Sequence, residues 1–310
     1  MLSRESRGNG KMPQRNTAPE LSKPEKNFPV QTAVRAAEPV QELSEPDFTA
    51  ALSEENMKNP PFIIDYTVQL NDISPDAKMR SWTVFNYLQD AAGKHADLLG
   101  LGLKQLRESD LSWILSRIRL QMDEFPGYGD TLRITTYPSG FDRLFAYRQF
   151  LLTSAESGKV YGRAGSAWLT LNPSNFRPVS PAKYLTGLPQ WEFEGDTFFQ
   201  GESLGKLSVP ETALEQPVDH RISSAFIDYN RHLNNAYYAM FTEDWLGEKM
   251  QTPVRMKEIQ INFNHTTGFG EHLLCSGKLS GEDFYVEGIL AGEKKNAFQA
   301  KGKFEKISAD

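Results

Sequence analysis

The stretch IRLQMDEFPGYGDTLRITTY, residues 118–137, aligns without a gap with IQINFNHTTGFGEHLLCSGK, residues 259–278. Both stretches begin with three apolar residues at every second position, which is the period of a half-buried β-strand. Both then reach glycine, an aromatic residue, glycine and an acid, at 127–130 and at 268–271, which indicates a turn into a second strand. This internal repeat predicts two halves with similar folds.

A helix-like segment precedes each of these strands. In the first half it is SWTVFNYLQDAAGKHADLLGLG, residues 81–102, and in the second it is NNAYYAMFTEDWLGEKM, residues 234–250. Glycines close the first helix, and Pro253 follows the second. Because strand-like sequence lies before the first helix and after both, we predict an α+β fold in which each half is an antiparallel sheet wrapped around a long helix.

Segments of different composition flank the two halves. Residues 1–60 are rich in proline and polar residues and contain no tryptophan or tyrosine. They cannot bury enough apolar surface to offset their ordering entropy, so we predict a disordered extension. The proline-rich residues 176–217 predict a linker that passes over the surface. The N-terminal half then spans 61–175 and the C-terminal half 218–310.

Composition argues against several classes of protein. A net charge of -6 gives no general attraction to nucleic acid or to an anionic membrane. The sequence contains no run of about 18 apolar residues, so it predicts no membrane-spanning helix. The first 25 residues lack the apolar core of a secretory signal, so we expect a cytoplasmic protein, while basic residues near the start leave plastid targeting open. The single cysteine, Cys275, is predicted to be a small buried residue in a strand.

Polar residues are concentrated at the start of the second helix. The segment FIDYNRHLNN, residues 226–235, runs directly into the apolar part of that helix. Short polar side chains at such a position accept backbone N–H groups as N-caps, and for any one residue this is the simpler interpretation. A cap uses one residue, whereas this segment has five: Asp228, Asn230, His232, Asn234 and Asn235.

These residue types suit the activation of water. A helix N-terminus offers unpaired N–H groups and a partial positive charge to an oxyanion or a carbonyl oxygen. An amide such as Asn230 can hold a carbonyl or a water, and a histidine with a solution pKa of about 6.5 can take a proton near neutrality. An extended lead-in would point Asp228, Asn230 and His232 to one side. We therefore predict a reaction site here.

The first half provides an internal control. With Asp76 placed opposite Asp228, the first half has Lys78 and Arg80 where the second half has an amide and an imidazole. This alignment predicts that the second half carries the chemistry and that the first half serves packing or ligand binding.

Signals for other chemistries are absent. No two of the five histidines have the His-x3-His spacing of a helical metal site. The glycines at 100–102 lack the third glycine of a phosphate loop, and there is no nucleophile elbow. The sequence therefore predicts neither a metal nor a cofactor.

Four stretches resemble the acyl-acyl carrier protein (acyl-ACP) thioesterases, the plant and bacterial family that ends fatty acid synthesis by hydrolysing the acyl thioester. The stretches are NYLQDAAGKHADLLGLG, LSWILSRIRLQMDEFPGYGDTLRI and YPSGFDRLFAYRQF in the first half and DYNRHLNNAYY in the second. The resemblance covers about Phe62 to Ile307. It implies a tandem, or double, hot-dog fold, two antiparallel sheets each wrapped around a long helix, which agrees with the repeat.

The resemblance also implies roles for the polar motif. The family pattern Asp-x-Asn-x-His-x-Asn-Asn matches Asp228 to Asn235. It implies that Asp228, Asn230 and His232 are catalytic, while Asn234 and Asn235 contact the substrate. The implied mechanism is direct hydrolysis, in which Asn230 and backbone N–H groups hold the carbonyl and His232, held by Asp228, activates water. A covalent route through Asp228 stays open.

One departure from the family concerns the strand that follows the second helix. The plant enzymes have Glu-Cys before a glycine there, and this sequence has Thr266 and Thr267 before Gly268. Neither threonine can act as a carboxylate base or as a ready thiolate. We keep Thr266 as a fourth catalytic candidate that could position water.

The resemblance implies an apolar tunnel and a protein partner. Residues of the first-half helix and strand are predicted to line the tunnel, namely Trp82, Phe85, Leu88, Trp113, Ile114 and Leu115. The acylated carrier protein is acidic, so a basic patch should guide it. The candidates for that patch are Arg143, Arg148, Arg163, Arg177 and Lys183. No nucleic acid or membrane partner is expected, and the oligomeric state, including a homodimer, stays open.

Two alternative functions stay open. A hot-dog acyl-CoA thioesterase would share the fold but not the long first-half stretches. A non-catalytic acyl-binding protein would explain the missing Glu-Cys pair but not the retained Asp228, Asn230 and His232. A hot-dog dehydratase fits less well, because the sequence has no His-Phe-Pro-Gly stretch.

Overall fold

A computed structural model describes residues 61–175, 177–185, 199 and 204–307. The predicted extension, residues 1–60, lies outside the described residues. The described helices are α1 Ser81–Leu98, α2 Leu103–Glu108, α3 Ala182–Leu185 and α4 Asn235–Met250. The strands are β1 Phe62–Thr67, β2 Ser112–Met122, β3 Thr131–Phe141, β4 Phe145–Ser154, β5 Val160–Asn172, β6 Arg177–Val179, β7 Val218–Arg221, β8 Val254–Phe263, β9 His272–Ser280, β10 Asp283–Leu290 and β11 Asn296–Lys306.

The strands form one antiparallel sheet across both halves. Its order is β1-β3-β4-β5-β2-β8-β11-β10-β9-β7, with β6 paired to β5. The order in the first half is the mirror of the order in the second. The two predicted sheets are therefore joined into one, because β2 and β8 pair directly and each covers the edge that the other would expose.

The repeat offset of 141 residues appears in the register between β2 and β8. Arg119 pairs with Gln260, its own equivalent in the repeat. Ile118 pairs with Ile261, which is the equivalent of Leu120. A local two-fold axis therefore passes through the Arg119–Gln260 pair and relates the two halves.

The glycine turns that follow these strands are also alike. Gly129 has a φ of 84° and Gly270 a φ of 82°, a region that glycine enters without steric cost. In each turn the first glycine donates its N–H to the carboxylate three residues on, that of Asp130 or of Glu271. The internal repeat predicted from the sequence is thus confirmed.

The two long helices pack against each other and against the sheet. Phe85 and Leu88 of α1 and Trp245 of α4 are fully buried, and burial of such a side chain contributes roughly 1.5–3 kcal/mol. Helix α1 ends before Gly100, which has a φ of 68°, and α4 ends before Pro253, as the sequence predicts. Among the described residues, no helix is long and apolar enough to cross a membrane.

Two described residues of the connection between the halves, Leu204 and Gly205, contact the sheet where β2 meets β8. The carbonyl of Gly205 accepts a hydrogen bond from Gln260 Nε2 at 2.7 Å, and that of Leu204 accepts one from Arg117 Nη1 at 2.6 Å. These contacts bury Gln260 on the face opposite to the core. The described part of the predicted linker also contains β6 and α3, which the sequence analysis did not predict.

Candidate active site

The polar motif lies in a closed turn before α4. Arg231 donates its N–H to the carbonyl of Asp228 at 2.9 Å, and its φ of 64° lies in the left-handed region, which reverses the chain. The expectation that an extended segment points Asp228, Asn230 and His232 to one side is therefore wrong. The turn, not strand alternation, sets the directions of these side chains.

Asp228 holds this turn through the backbone. Its Oδ1 accepts the N–H of Asn230 at 2.8 Å and that of His232 at 3.3 Å. The His232 side chain is exposed, and no hydrogen bond or ion pair joins its imidazole to another residue in the described part of the chain. Asp228 therefore positions His232, as predicted from the sequence. It does so through the backbone N–H of His232 and not through the imidazole ring.

Asn234 is the N-cap of α4 and also contacts the other half. Its Oδ1 accepts the N–H of Ala236 at 2.9 Å and a hydrogen bond from Gln89 Nε2 of α1 at 3.2 Å. The first N–H groups of a helix have no intrahelical partner, and the cap takes one of them. The neighbouring N–H, that of Asn235, is therefore the one that a ligand can use.

A pocket of about 280 Å³ lies between α1 and the turn before α4. Asp228, Asn230 and Asn235 line it from the second half. The residues of α1 that line it lie three or four positions apart and so form one face of the helix: Gln89, Ala92, Gly93, Ala96 and Asp97. Small side chains on this face leave the space. Gln89 is not among the residues predicted from the sequence, although the small residues at helical spacing beside it are a signal.

The structure separates the residues predicted to line the acyl tunnel. Trp113 and Leu115 line the pocket, whereas Ile114 points to the other side of β2 and is exposed. Phe85 and Leu88 are fully buried in the hydrophobic core and are not among the residues that line the pocket. Phe85, Leu88, Ile114 and Trp82 thus do not line this pocket, and the acyl tunnel lined by all six residues stays a prediction.

The two threonines in the family's Glu-Cys positions have different environments. Thr267 is fully buried, its hydroxyl accepts a hydrogen bond from Tyr238 at 3.0 Å, and its carbonyl accepts the N–H of Leu233 at 2.8 Å. Burial raises the pKa of Tyr238 to about 12, so this phenol is a donor and not a base. Thr266 is exposed and is not among the residues described as lining the pocket.

The turn before α1 has the same backbone conformation as the turn before α4. Ala77 has a φ of 58°, and Arg231 has a φ of 64°. The N–H of Ser74 donates to the carbonyl of Lys78 at 2.8 Å, and the N–H of Asp228 donates to the carbonyl of His232 at the same distance. The equivalent positions are Ser74 for Asp228, Asp76 for Asn230 and Lys78 for His232. The alignment of Asp76 with Asp228 is therefore wrong by two residues, because it matched residue types and not the left-handed position.

The first-half turn still lacks an amide and an imidazole, and it holds an ion pair. Arg255 Nη2 donates to both oxygens of Asp76, at 2.6 and 2.7 Å, and to Ser74 Oγ at 2.8 Å. Burial raises the pKa of Asp76, but the hydrogen bonds from Arg255 and Ser74 outweigh burial and hold it below its usual value. This turn therefore joins the two halves structurally.

A second pocket, of about 640 Å³, lies between the first-half turn and α4, at the two-fold equivalent of the first pocket. Glu243 takes the place of Gln89, and Gly247 takes the place of Gly93. Burial raises the pKa of Glu243 to about 7. Trp82, predicted to line the acyl tunnel, lines this second pocket instead.

Arg148 is a buried cation in the first pocket. Its Nη1 donates to Thr136 Oγ1 at 3.2 Å and lies 3.0 Å from His95 Nδ1. Burial, with the charge of Arg148, lowers the pKa of His95 to about 4, so the ring is neutral near pH 7 and accepts this bond. The prediction that Arg148 belongs to a surface patch is therefore wrong, because β4 turns this side chain inward. The exposed residues of that predicted patch are Arg143, Arg177 and Lys183.

Family models match most of the described chain. The model for the acyl-ACP thioesterase N-terminal domain matches residues 61–183, and the model for the C-terminal domain of the same family matches residues 211–305. These two ranges contain all the residues of the first pocket that come from α1, β2 and the turn before α4.

Curated relatives come from plants. A chloroplastic palmitoyl-acyl carrier protein thioesterase of Gossypium hirsutum is 24% identical over 201 residues, which cover 62% of this chain and 48% of the relative. A chloroplastic oleoyl-acyl carrier protein thioesterase of Arabidopsis thaliana is 27% identical over 197 residues, which cover 58% of this chain and 52% of the relative. The chain thus spans about half the length of the curated relatives it matches.

Solved structures of similar fold confirm the double hot-dog class. An acyl-ACP thioesterase from Bacteroides thetaiotaomicron superposes with a TM-score of 0.69 at 21% identity, over 78% of this chain and 97% of that one. A 12:0-ACP thioesterase from Umbellularia californica superposes with a TM-score of 0.68 at 16% identity, over 79% of this chain and 97% of that one. With two family models that together span both halves, the chain belongs to the acyl-ACP thioesterase family.

Proposed function

We propose that this protein hydrolyses the thioester of a fatty acyl-ACP, releasing free fatty acid and holo-ACP, and so ends fatty acid synthesis. The observation that carries the proposal is the first pocket. It has Asp228, Asn230 and the start of α4 on one side and the small and apolar residues of the first half on the other. The names of the relatives agree with this activity.

In the proposed mechanism the thioester carbonyl lies at the start of α4. Asn230 donates to the carbonyl oxygen, and the N–H of Asn235, with the partial positive charge of the helix N-terminus, stabilises the oxyanion. His232 is exposed and is not among the residues that line the pocket, and we assign it the proton of the attacking water on its residue type. Asp228 keeps His232 and Asn230 in place through their N–H groups. Because Asp228 itself lines the pocket, the covalent route through its carboxylate is the competing mechanism.

Gln89 is a further residue of the proposed site. Its amide N–H groups donate to Asn234 Oδ1 and to the carbonyl of Phe85, at 3.2 and 3.3 Å. Its carbonyl oxygen is then available to a water in the pocket. A residue of the first half thus completes a site whose other polar groups come from the second half.

The proposed partner is the acylated carrier protein. Arg143, Arg177 and Lys183 are exposed, and they are the residues of the predicted basic patch that an acidic partner could reach. A cytoplasmic location and the state as monomer or homodimer stay predictions.

Release of fatty acid from matched acyl-ACP and acyl-CoA substrates tests the proposal. With chains of equal length, we expect kcat/KM for acyl-ACP to exceed that for acyl-CoA at least tenfold. Equal rates on the two carriers would favour the acyl-CoA thioesterase. Binding of acyl chains without hydrolysis of either carrier would favour a non-catalytic acyl-binding protein.

A further inference from the structure

We propose that the first pocket takes an acyl chain that carries an oxygen acceptor well beyond the thioester, and that Arg148 binds this oxygen. The acceptor is a hydroxyl, a ketone or a terminal carboxylate. The inference rests on the proposed thioesterase function and names the substrate class of that site.

Arg148 has more hydrogen-bond donors than partners. A guanidinium carries five N–H groups, and both contacts of Arg148, to Thr136 and to His95, are made by the single nitrogen Nη1. Asp97 and Asp228 also line the pocket, but no carboxylate of the described residues makes an ion pair with this side chain, which is only 8% exposed. A buried cation of this kind is unfavourable unless something pairs with it.

The neighbours of Arg148 do not neutralise it. His95 stacks on Phe62 with ring centroids 5.3 Å apart, and it meets Arg148 as a neutral acceptor. The hydroxyl of Thr136 donates its own hydrogen to the carbonyl of Gln149 at 2.8 Å. Both groups orient the guanidinium, and neither supplies a negative charge.

A hydrocarbon chain and an oxygenated chain would have opposite effects on Arg148. A hydrocarbon chain would fill the pocket and leave the Nε and Nη2 donors unpaired. A chain with an oxygen at the right depth would pair with them. Sites that hydrogen-bond a substrate oxygen reject analogues that lack it much more strongly than apolar pockets reject a methylene.

The position of that oxygen follows from α1. The pocket runs along the helix from Gln89, which contacts the catalytic helix start, to the level of His95, which contacts Arg148. These two residues are six positions apart, or about 9 Å along the helix axis. An extended chain advances about 1.2 Å per bond, so the oxygen lies roughly seven or eight bonds from the thioester.

The test compares acyl-ACP substrates of one chain length. They carry no oxygen, a 3-hydroxyl, a hydroxyl or ketone roughly eight bonds from the thioester, or a carboxylate at that depth. The enzymes are the wild type, Arg148→Met and, as a control, Arg133→Met, which removes an exposed arginine that pairs with Asp65. The readout is the ratio of kcat/KM for each oxygenated chain to that for the plain chain.

We expect the wild type and Arg133→Met to prefer the deep oxygen about tenfold or more, with the 3-hydroxy chain close to the plain one. In Arg148→Met the ratio should fall to near one, because kcat/KM for the plain chain rises and kcat/KM for the oxygenated chain falls. Preference for the carboxylate identifies a half-thioester of a dicarboxylic acid, and preference for the hydroxyl or ketone identifies a hydroxy- or keto-acyl chain. A wild-type ratio near one, or the same ratio in Arg148→Met, overturns the inference.

Binding of amide-linked acyl-pantetheine, which cannot be hydrolysed, separates this inference from the proposed function. Calorimetry on the wild type and on Arg148→Lys, which keeps the charge, needs no turnover. Tenfold tighter binding of the deep-oxygen analogue with no hydrolysis of any carrier supports the pocket inference and contradicts the proposed function. Equal binding of plain and oxygenated analogues overturns the pocket inference even if acyl-ACP is hydrolysed.

Discussion

Glu243→Gln should change how the stability of the protein depends on pH. Glu243 lies in the second pocket at the position that Gln89 has in the first, and its Oε2 is buried with no hydrogen-bond partner among the described residues. Burial raises its pKa from the usual 4.5 to about 7, although a hydrogen bond from Ser81 and the charges of Arg255 and Arg80 oppose burial. Between these two pH values the folded protein keeps a proton that the unfolded chain has lost.

The sign and size of the effect follow from linkage. A raised pKa in the folded state gives stability that is complete below about pH 4.5 and is lost as the pH rises through about 7. Each pKa unit corresponds to about 1.4 kcal/mol, so the loss by pH 8 is at most about 3 kcal/mol. Glutamine cannot ionise. The free energy of unfolding of Glu243→Gln relative to wild type should therefore rise between pH 5 and pH 8.

Urea denaturation at pH 5, 6.5 and 8 measures this difference. The matched control is Asp244→Asn, which makes the same change in net charge at a neighbouring carboxylate that is 65% exposed. For Glu243→Gln we expect the difference from wild type to increase by about 2 kcal/mol or more over this range. For Asp244→Asn it should stay within about 0.5 kcal/mol. A difference for Glu243→Gln that does not vary with pH would refute the reasoning.

Other substitutions test the helix start and the sheet. Asn234→Ala removes the N-cap of α4 and the contact with Gln89. It should lower the free energy of unfolding by about 1 kcal/mol and reduce turnover. Asn234→Asp should retain most of the stability in the same urea titration. Gly302→Ala should cost about 1–3 kcal/mol, because a Cβ there would lie 1.8 Å from the carbonyl oxygen of Glu258. Gly292→Ala, with no atom within 4 Å of its Cβ, should change the melting temperature little, and equal melting temperatures for both glycine variants would contradict the packing argument.

The sequence predicted the halves well because their signals are local. Alternating apolar residues show which face of a strand is buried, and paired glycines mark the turns at Gly129 and Gly270. The same signals do not name the partner of a strand. The pairing of β2 with β8 depends on the Arg119–Gln260 register, which becomes visible only when both halves are folded.

The sequence shows the residue types of the polar motif before α4 but not its geometry. Nothing in the sequence marks Arg231 as a residue of positive φ, so the sequence predicts an extended segment and an alignment with the first half that is wrong by two residues. Apolar character alone also cannot separate Leu88, in the core, from the pocket-lining face of α1 that begins at Gln89. Burial of Arg148 likewise depends on which face of β4 meets α1.

The central claim is that the turn before α4, and not its two-fold equivalent, carries the hydrolysis. The most direct measurement is kcat on acyl-ACP for His232→Ala beside Lys78→Ala, since Lys78 is the exposed residue at the equivalent position of the first-half turn. The account predicts that His232→Ala lowers kcat about 100-fold or more while Lys78→Ala stays within about twofold of wild type. Equal effects of the two substitutions, or full activity of His232→Ala, would contradict it.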